Sequence, residues 1–201
     1  FINYEKDKKI YNIESKNSII QQTEIDYKGN VNFDPFYFRF EFNIANIDQK
    51  KLFFLNNFFE KFITNYLANN QYINGDVQLN IKNIKKQNLF TDSKVKINFH
   101  RGKFILSDTI FTLGNIGKLE VLSNEINYKN NKIVLLFNVS VDIDNHKKLY
   151  KKFLIPKKNR KKIENIVLTV KLIPSTKQIL LSNFSMGKNK VSLFKDSEIT
   201  I

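Results

Sequence analysis

Large apolar residues alternate with polar ones over residues 36–44, where the chain reads FYFRFEFNI. A strand has a side-chain period of two, so this pattern predicts a strand with one apolar face and one polar face. We call the apolar residues of this series the first ladder: Phe36, Phe38, Phe40, Phe42 and Ile44. A second ladder with the same spacing consists of Ile133, Leu135, Phe137, Val139 and Val141.

Shorter segments with the same period follow one another along the chain and predict about ten to twelve strands. Turn-forming residues separate these segments at 28–30, 34–35, 101–102 and 114–117. Closely spaced strands joined by short turns predict an antiparallel meander. Strands and helices do not alternate regularly, which argues against a parallel, doubly wound fold.

Two segments break the strand period. Apolar residues recur at intervals of three and four over residues 48–69, which predicts an amphipathic, Phe-rich helix with Asp48 as its N-cap. Residues 145–162 predict a short basic helical region that begins after an N-cap at Asp144, and Pro156 ends its helix. The predicted fold class is therefore mainly β, with one or two helices.

The chain has 201 residues, and we expect a single β-rich segment over residues 1–201. It begins with Phe1, shows no secretory leader, and has no continuous apolar run of about 18 residues that could span a membrane. These features favour a piece of a longer protein whose membrane anchor lies outside this chain.

The charge of the chain is strongly basic, with a formal net charge of +14. A basic domain normally suggests a nucleic-acid partner. Here the lysines are scattered, arginines are few, and codon use in an AT-rich genome explains part of the lysine excess. Nucleic acid is therefore not expected as a partner, and anionic lipid headgroups fit scattered lysines at least as well.

The sequence offers no candidate catalytic or metal site. The absence of cysteine excludes disulfides, thiol catalysis and cysteine-based zinc sites. His100 and His146 are far apart and lack the partner spacing of a metal site. Residues 114–118 read GNIGK, which is too short for a phosphate loop and is not followed by a predicted helix. We therefore expect a non-enzymatic chain without cofactor or metal.

The order of these segments is more specific than any single motif. An aromatic strand leads into the Phe-rich helix, then into NGDVQLNIKNI at 74–84, RGKFIL at 101–106, GKLEV at 117–121, a long strand, and PKKNRKKI at 156–163. In this order, over residues 19–184, the chain resembles the C-terminal region of AsmA-like proteins, a bacterial envelope family with TamB-type and YhdP-type members.

The resemblance implies a bridge-like lipid transfer protein. Its fold would be a long, curved, taco- or groove-like antiparallel sheet in the periplasm, anchored in the inner membrane. The apolar concave face would shelter phospholipid acyl chains as lipids move between the inner and outer membranes, and other envelope proteins could be partners. The two ladders would then line the groove. Each methylene sheltered from water contributes about 0.8 kcal/mol, so such a groove needs no specific contacts.

Two other classes of protein remain open at this point. Apolar faces ordinarily form a protein core, and the Phe-rich helix could fill the concavity. The chain would then be a structural or adhesive envelope protein with a sealed core and open sheet edges. A basic nucleic-acid-binding domain centred on residues 157–162 would need aromatic side chains among its lysines, and this stretch has none.

Overall fold

The computed structural model describes residues 1–20, 23–48, 70, 72–85, 89–101, 103–129, 132–173, 176, 178–187, 189–190 and 197–200. The chain divides into two compact units, Phe1–Thr109 (unit 1) and Ile110–Ile201 (unit 2). The prediction of one segment over the whole chain stays a prediction.

The regular elements among the described residues of unit 1 are strands. In chain order they are β1 (Ile2–Glu5), β2 (Ile10–Ile20), β3 (Thr23–Phe33), β4 (Phe36–Ile44), β5 (Ile47–Asp48), β6 (Gly75–Ile81), β7 (Ile84–Lys85), β8 (Ser93–His100) and most of β9 (Lys103–Thr112). The sheet order is β1-β2-β3-β4-β6-β8-β9, while β5 and β7 form a separate two-stranded pair.

Unit 2 combines strands with the one α-helix of the described residues. Its elements are β10 (Gly117–Lys129), β11 (Lys132–Ile143), α1 (His146–Lys152), a 3-10 turn (Lys157–Asn159), β12 (Asn165–Ile173), β13 (Gln178–Met186), β14 (Asn189–Lys190) and β15 (Ser197–Thr200). The sheet order is β10-β11-β12-β13, and β14 and β15 both pair with β13.

The prediction of a mainly β chain is confirmed, and in both units the sheet is open and mostly antiparallel. The prediction of an antiparallel meander is wrong at one place. Strands β4 and β6 pair in parallel, with Phe38 beside Gly75 and Ile44 beside Ile81. Residues 45–74 return the chain to the end of the sheet where β4 began. A connection of this length allows the parallel crossover that a short turn cannot make. The curved, groove-like shape stays a prediction.

The predicted turn at 28–30 is wrong, since these residues lie inside β3. Gly29 lies directly opposite Phe40 of β4. A Cβ atom added at Gly29 would collide with the Phe40 ring and with the carbonyl oxygen of Arg39. The glycine therefore serves close packing of an aromatic ring over the strand, as glycines in strand interiors often do.

A β-bulge accounts for an irregular apolar pattern in β10. The pairing with β11 shifts between Val121 and Ser123, so Leu119 and Val121 share a face with Ile126. The extra residue, Leu122, is 54% exposed. One inserted residue reverses the inside–outside alternation, so the apolar residues before and after Leu122 do not follow a single period of two in the sequence.

The basic helical region lies within residues 145–162, as predicted, and consists of α1 and the 3-10 turn. The N-cap of α1 is Asn145 rather than Asp144, because the Asn145 side chain accepts a hydrogen bond from the Lys148 N–H at 3.1 Å. Of the predicted Phe-rich helix at 48–69, only Asp48 belongs to the described residues.

A small cluster of buried isoleucines lies in unit 1. In unit 1, Ile44, Ile47, Ile81 and Ile84 pack together at the end of β4 and β6, with Ile25 and Phe90 against them. Among the described residues of unit 2, the buried apolar side chains are Leu113, Ile116, Val121, Ile133, Val139 and Ile143.

Candidate functional site

The first ladder lies on one face of the unit 1 sheet. Its residues have apolar or glycine neighbours on both adjacent strands. On β3 these are Phe33, Val31, Gly29, Tyr27 and Ile25, and on β6 they are Gly75, Val77, Leu79 and Ile81. Directly opposite residues in a sheet share a face, so the register builds a continuous apolar surface across β3, β4 and β6.

Aromatic rings follow one another along this surface. Ring centroids are 4.5 Å apart for Tyr4 and Tyr11, 5.4 Å for Tyr11 and Phe33, and 6.0 Å for Phe33 and Phe36. The spacing continues at 6.1, 6.3 and 6.0 Å through the first ladder, from Phe36 to Phe42. All these distances lie within the range of favourable aromatic pairs.

A branch of this series leaves the first ladder at Phe38. The Phe38 and Phe99 centroids are 5.6 Å apart, and those of Phe99 and Phe104 are 5.8 Å apart. We call the whole set the aromatic stripe: Tyr4, Tyr11, Tyr27, Phe33, Phe36, Phe38, Phe40, Phe42, Phe99 and Phe104. Sequence reasoning found its centre but missed the members on β1, β2, β8 and β9, because only the strand register places them beside the ladder.

Exposure rises along the first ladder toward Phe33, whereas Phe99 of the stripe is buried, at 6% exposed. Ile44 is 7% exposed and belongs to a buried cluster. Phe38, Phe40 and Phe42 are half-buried, Phe36 is 36% exposed and Phe33 is 63% exposed. The apolar surface therefore opens to solvent at the end where β4 begins and closes at the end where β4 stops.

The second ladder is more enclosed. Ile133 and Val139 are 3% and 5% exposed, while Leu135, Phe137 and Val141 are half-buried. Its neighbours on β12 are Leu172, Val170, Leu168 and Ile166, all half-buried. That the second ladder contacts lipid stays a prediction, and its most buried members are core residues of unit 2.

The opposite face of the unit 1 sheet carries a network of polar side chains. Tyr37 donates its hydroxyl hydrogen to the Asp76 carboxylate, and Asn98 donates to the same carboxylate at 2.6 Å. A guanidinium nitrogen of Arg39 lies 3.6 Å from an oxygen of the Asp76 carboxylate. Burial alone would raise the pKa of Asp76, but the hydrogen bonds from Tyr37 and Asn98 and the nearby Arg39 charge hold that pKa below its usual value.

Two open cavities lie in unit 1. One of about 440 Å³ sits at the exposed end of the stripe, where Phe36 and Phe99 meet Tyr37, Asp76 and Arg101. The other has a volume of about 320 Å³, and its lining residues are Phe1, Asn12, Ile13, Glu14, Lys28, Gly29, Asn30, Arg39 and Glu41. The first cavity brings apolar, polar and charged side chains to the same opening.

The described residues contain no cluster of acidic, histidine or cysteine side chains suited to a metal ion. The Nε2 atom of His146 forms a hydrogen bond with the Ile163 carbonyl oxygen at 2.8 Å. His100 lines the cavity at the open end of the stripe. Within the described part of the chain, no helix is both long and apolar enough to cross a membrane.

Comparison with protein-family models, with curated proteins and with solved structures finds no match for this chain. The site is thus defined by its own geometry, which is an aromatic surface on one side of a sheet, a polar network on the other, and an opening at one end that apolar and polar side chains line together.

Proposed function

We propose that this chain is a segment of an AsmA-like envelope protein whose aromatic stripe shelters phospholipid acyl chains, in a periplasmic protein anchored in the inner membrane. The observation that carries the proposal is the rising exposure from Ile44, at the buried end of the first ladder, to its neighbour Phe33 at 63%. A closed core would bury its large aromatic side chains throughout, whereas a surface for acyl chains must stay accessible along part of its length.

The chemistry of the stripe suits a flexible hydrocarbon ligand. Its rings supply a large apolar area, so transfer of methylenes from water onto it is favourable and tolerant of chain length. Arg101 and the other cavity residues at the open end provide a polar boundary for a headgroup. This role is one of binding and transfer, so we propose no enzymatic activity and no cofactor.

The sealed-core alternative is favoured by a different observation. Ile133, Val139 and Ile143 are all under 7% exposed, so part of unit 2 is an ordinary core. A structural envelope protein would extend such packing across both ladders and carry no lipid.

The first test is native mass spectrometry of the chain after expression in a bacterial envelope, with identification of extracted lipid. We expect co-purified phospholipid, and at least about tenfold less of it in a Phe36→Asp variant, because a charge in an apolar site is strongly disfavoured. Leu122→Asp is the matched control, since Leu122 is an exposed apolar strand residue outside the stripe. Lipid recovery from this control should match that from the unmodified chain.

The second test locates the ligand. A phospholipid with a photoreactive diazirine in its acyl chain should label Phe38 and Phe40 in preference to Tyr37 and Arg39, which alternate with them on the polar face. A well-folded chain that carries no lipid, or labelling without preference for the stripe, would contradict lipid sheltering and support the structural role.

A further inference from the structure

The segment between β11 and β12, residues 146–163, is the most basic part of the chain. We call it the basic loop. It contains no acidic residue, and its nine basic residues are Lys147, Lys148, Lys151, Lys152, Lys157, Lys158, Arg160, Lys161 and Lys162. All nine are exposed. The sequence showed this cluster, but its arrangement depends on α1 and the turn that follows.

Helix α1 separates its side chains into two faces. Lys147, Lys148, Lys151 and Lys152 are exposed, whereas Leu149 and Tyr150 are half-buried. The four lysines therefore point outward together. Two of them occupy the last turn of the helix, where positive charge is favourable beside the carbonyl ends of the peptide dipoles.

An apolar tip interrupts the basic residues directly after α1. Phe153 is 53% exposed and Leu154 is 85% exposed. Leu154 has a φ of +52°, in the left-handed region that a bulky residue rarely adopts. Its side chain gains nothing from packing at this exposure, so the fold presents an aliphatic group to the surroundings.

Hydrogen bonds hold the basic loop in a defined shape. Tyr150 donates its hydroxyl hydrogen to the Lys161 carbonyl oxygen at 2.6 Å, and the Ile155 N–H donates to the Tyr150 carbonyl oxygen at 2.9 Å. The Arg160 guanidinium lies 5.5 Å from the centre of the Tyr150 ring, and its Nε donates to the Ile155 carbonyl oxygen at 3.0 Å. The tip is therefore displayed on an organised scaffold.

Most of the lysines in the basic loop have no ion-pair partner among the described residues. Lys162 pairs with Glu164. Six lysines form no ion pair with any residue that the structure describes: Lys147, Lys148, Lys151, Lys157, Lys158 and Lys161. A surface with unpaired cations around an exposed aliphatic tip is complementary to a ligand that is both anionic and apolar beneath its charged layer.

We propose that the basic loop binds the surface of an anionic phospholipid bilayer, with Phe153 and Leu154 inserted below the headgroups. Basic residues near an anionic membrane contribute about fivefold each to partitioning, and apolar side chains at the interface add to this. A nucleic acid would use the lysines but has no place for the Leu154 side chain, and Tyr150 is occupied by Arg160. The proposal is independent of lipid sheltering by the stripe, because it involves unit 2 and an intact bilayer.

The test is co-sedimentation of the full chain with vesicles. Vesicles of equal parts phosphatidylglycerol and phosphatidylcholine should bind at least about tenfold more tightly than phosphatidylcholine alone, and added salt should weaken the binding. A variant with Lys147→Gln, Lys151→Gln and Lys158→Gln should bind about a hundredfold more weakly. The matched control carries Lys6→Gln, Lys8→Gln and Lys9→Gln, which remove the same charge from an exposed turn of unit 1. It should change binding by less than about threefold.

A tip variant with Phe153→Ser and Leu154→Gly should lose about tenfold in binding to anionic vesicles. Glycine suits the left-handed backbone at Leu154, so this variant should keep its fold. Three results would overturn the proposal. The first is equal binding to neutral and anionic vesicles, and the second is an equal loss of binding in the two lysine variants. The third is a tip variant that binds anionic vesicles as well as the unmodified chain does, together with loss of binding to duplex RNA in the basic-loop lysine variant. The last result would identify a polyanion-binding surface instead.

Discussion

Substitution of Gly75 by alanine tests the close packing beneath the first ladder. The Phe38 ring of β4 lies over Gly75 of β6, and a Cβ atom added there would lie 2.7 Å from both Cδ atoms of the ring and 2.5 Å from the Phe38 carbonyl oxygen. Favourable carbon–carbon contacts lie at about 3.5–4.0 Å, so the ring must move by about 1 Å and the two strands must separate slightly.

The expected cost follows from two opposing effects. Overpacking of this kind costs about 1–3 kcal/mol, and loss of backbone freedom in the unfolded chain returns about 0.5 kcal/mol. Gly75→Ala should therefore lower the free energy of unfolding by about 1–2 kcal/mol. Urea unfolding followed by far-UV circular dichroism measures this difference, since the chain has no tryptophan.

A double-mutant cycle separates the ring from the carbonyl oxygen. In a Phe38→Ala background, Gly75→Ala should cost at least about 1 kcal/mol less than in the unmodified chain. Gly187 is the matched control, because nothing lies within 4 Å of a Cβ built there and its φ is +58°. Asparagine tolerates this conformation better than alanine, so Gly187→Asn should cost less than Gly187→Ala. An unchanged or raised free energy of unfolding for Gly75→Ala would refute the packing argument.

Three further predictions concern individual residues. Leu154→Gly should raise the free energy of unfolding by about 1 kcal/mol in urea, because a left-handed leucine is strained, and a loss of stability would contradict this. Asn145→Ala should lower the free energy of unfolding by about 1 kcal/mol through loss of the N-cap of α1, whereas Asp144→Ala should not. Asp76→Asn should cost about 1–2 kcal/mol at neutral pH. The pKa of Asp76 is lowered in the folded state. Its contribution to the free energy of unfolding is therefore complete above the ordinary pKa of aspartate and disappears as the pH falls through the pKa of the folded state. A cost that stays constant into acid would contradict this account.

The local pattern in the sequence predicted the strand character and the two faces of β4 and β11 correctly. Side-chain alternation has a period of two whatever the neighbouring strands are, so Phe36, Phe38, Phe40 and Phe42 share a face by local geometry alone. The same logic failed at Gly29. Its turn-like context was local, whereas the reason for its presence is the Phe40 ring of the neighbouring strand.

The candidate site was predicted only in part. The first ladder was visible in the sequence, but Tyr4, Tyr11, Phe33 and Phe99 join it only through strand register. Register depends on pairing between distant segments, and bulges such as the one after Val121 change which side chains share a face. The parallel pairing of β4 with β6 likewise depends on contacts between strands that are distant in the sequence.

The sequence by itself determined that this protein would be β-rich, two-faced and strongly basic, because periodicity and charge are properties of residues in order along the chain. The tertiary structure alone decided how far each apolar residue is covered. It leaves Phe36, Phe33 and Leu154 exposed to solvent and buries Ile44, Ile133 and Val139. Burial depends on the packing of residues far apart in the chain, and local patterns do not contain that information.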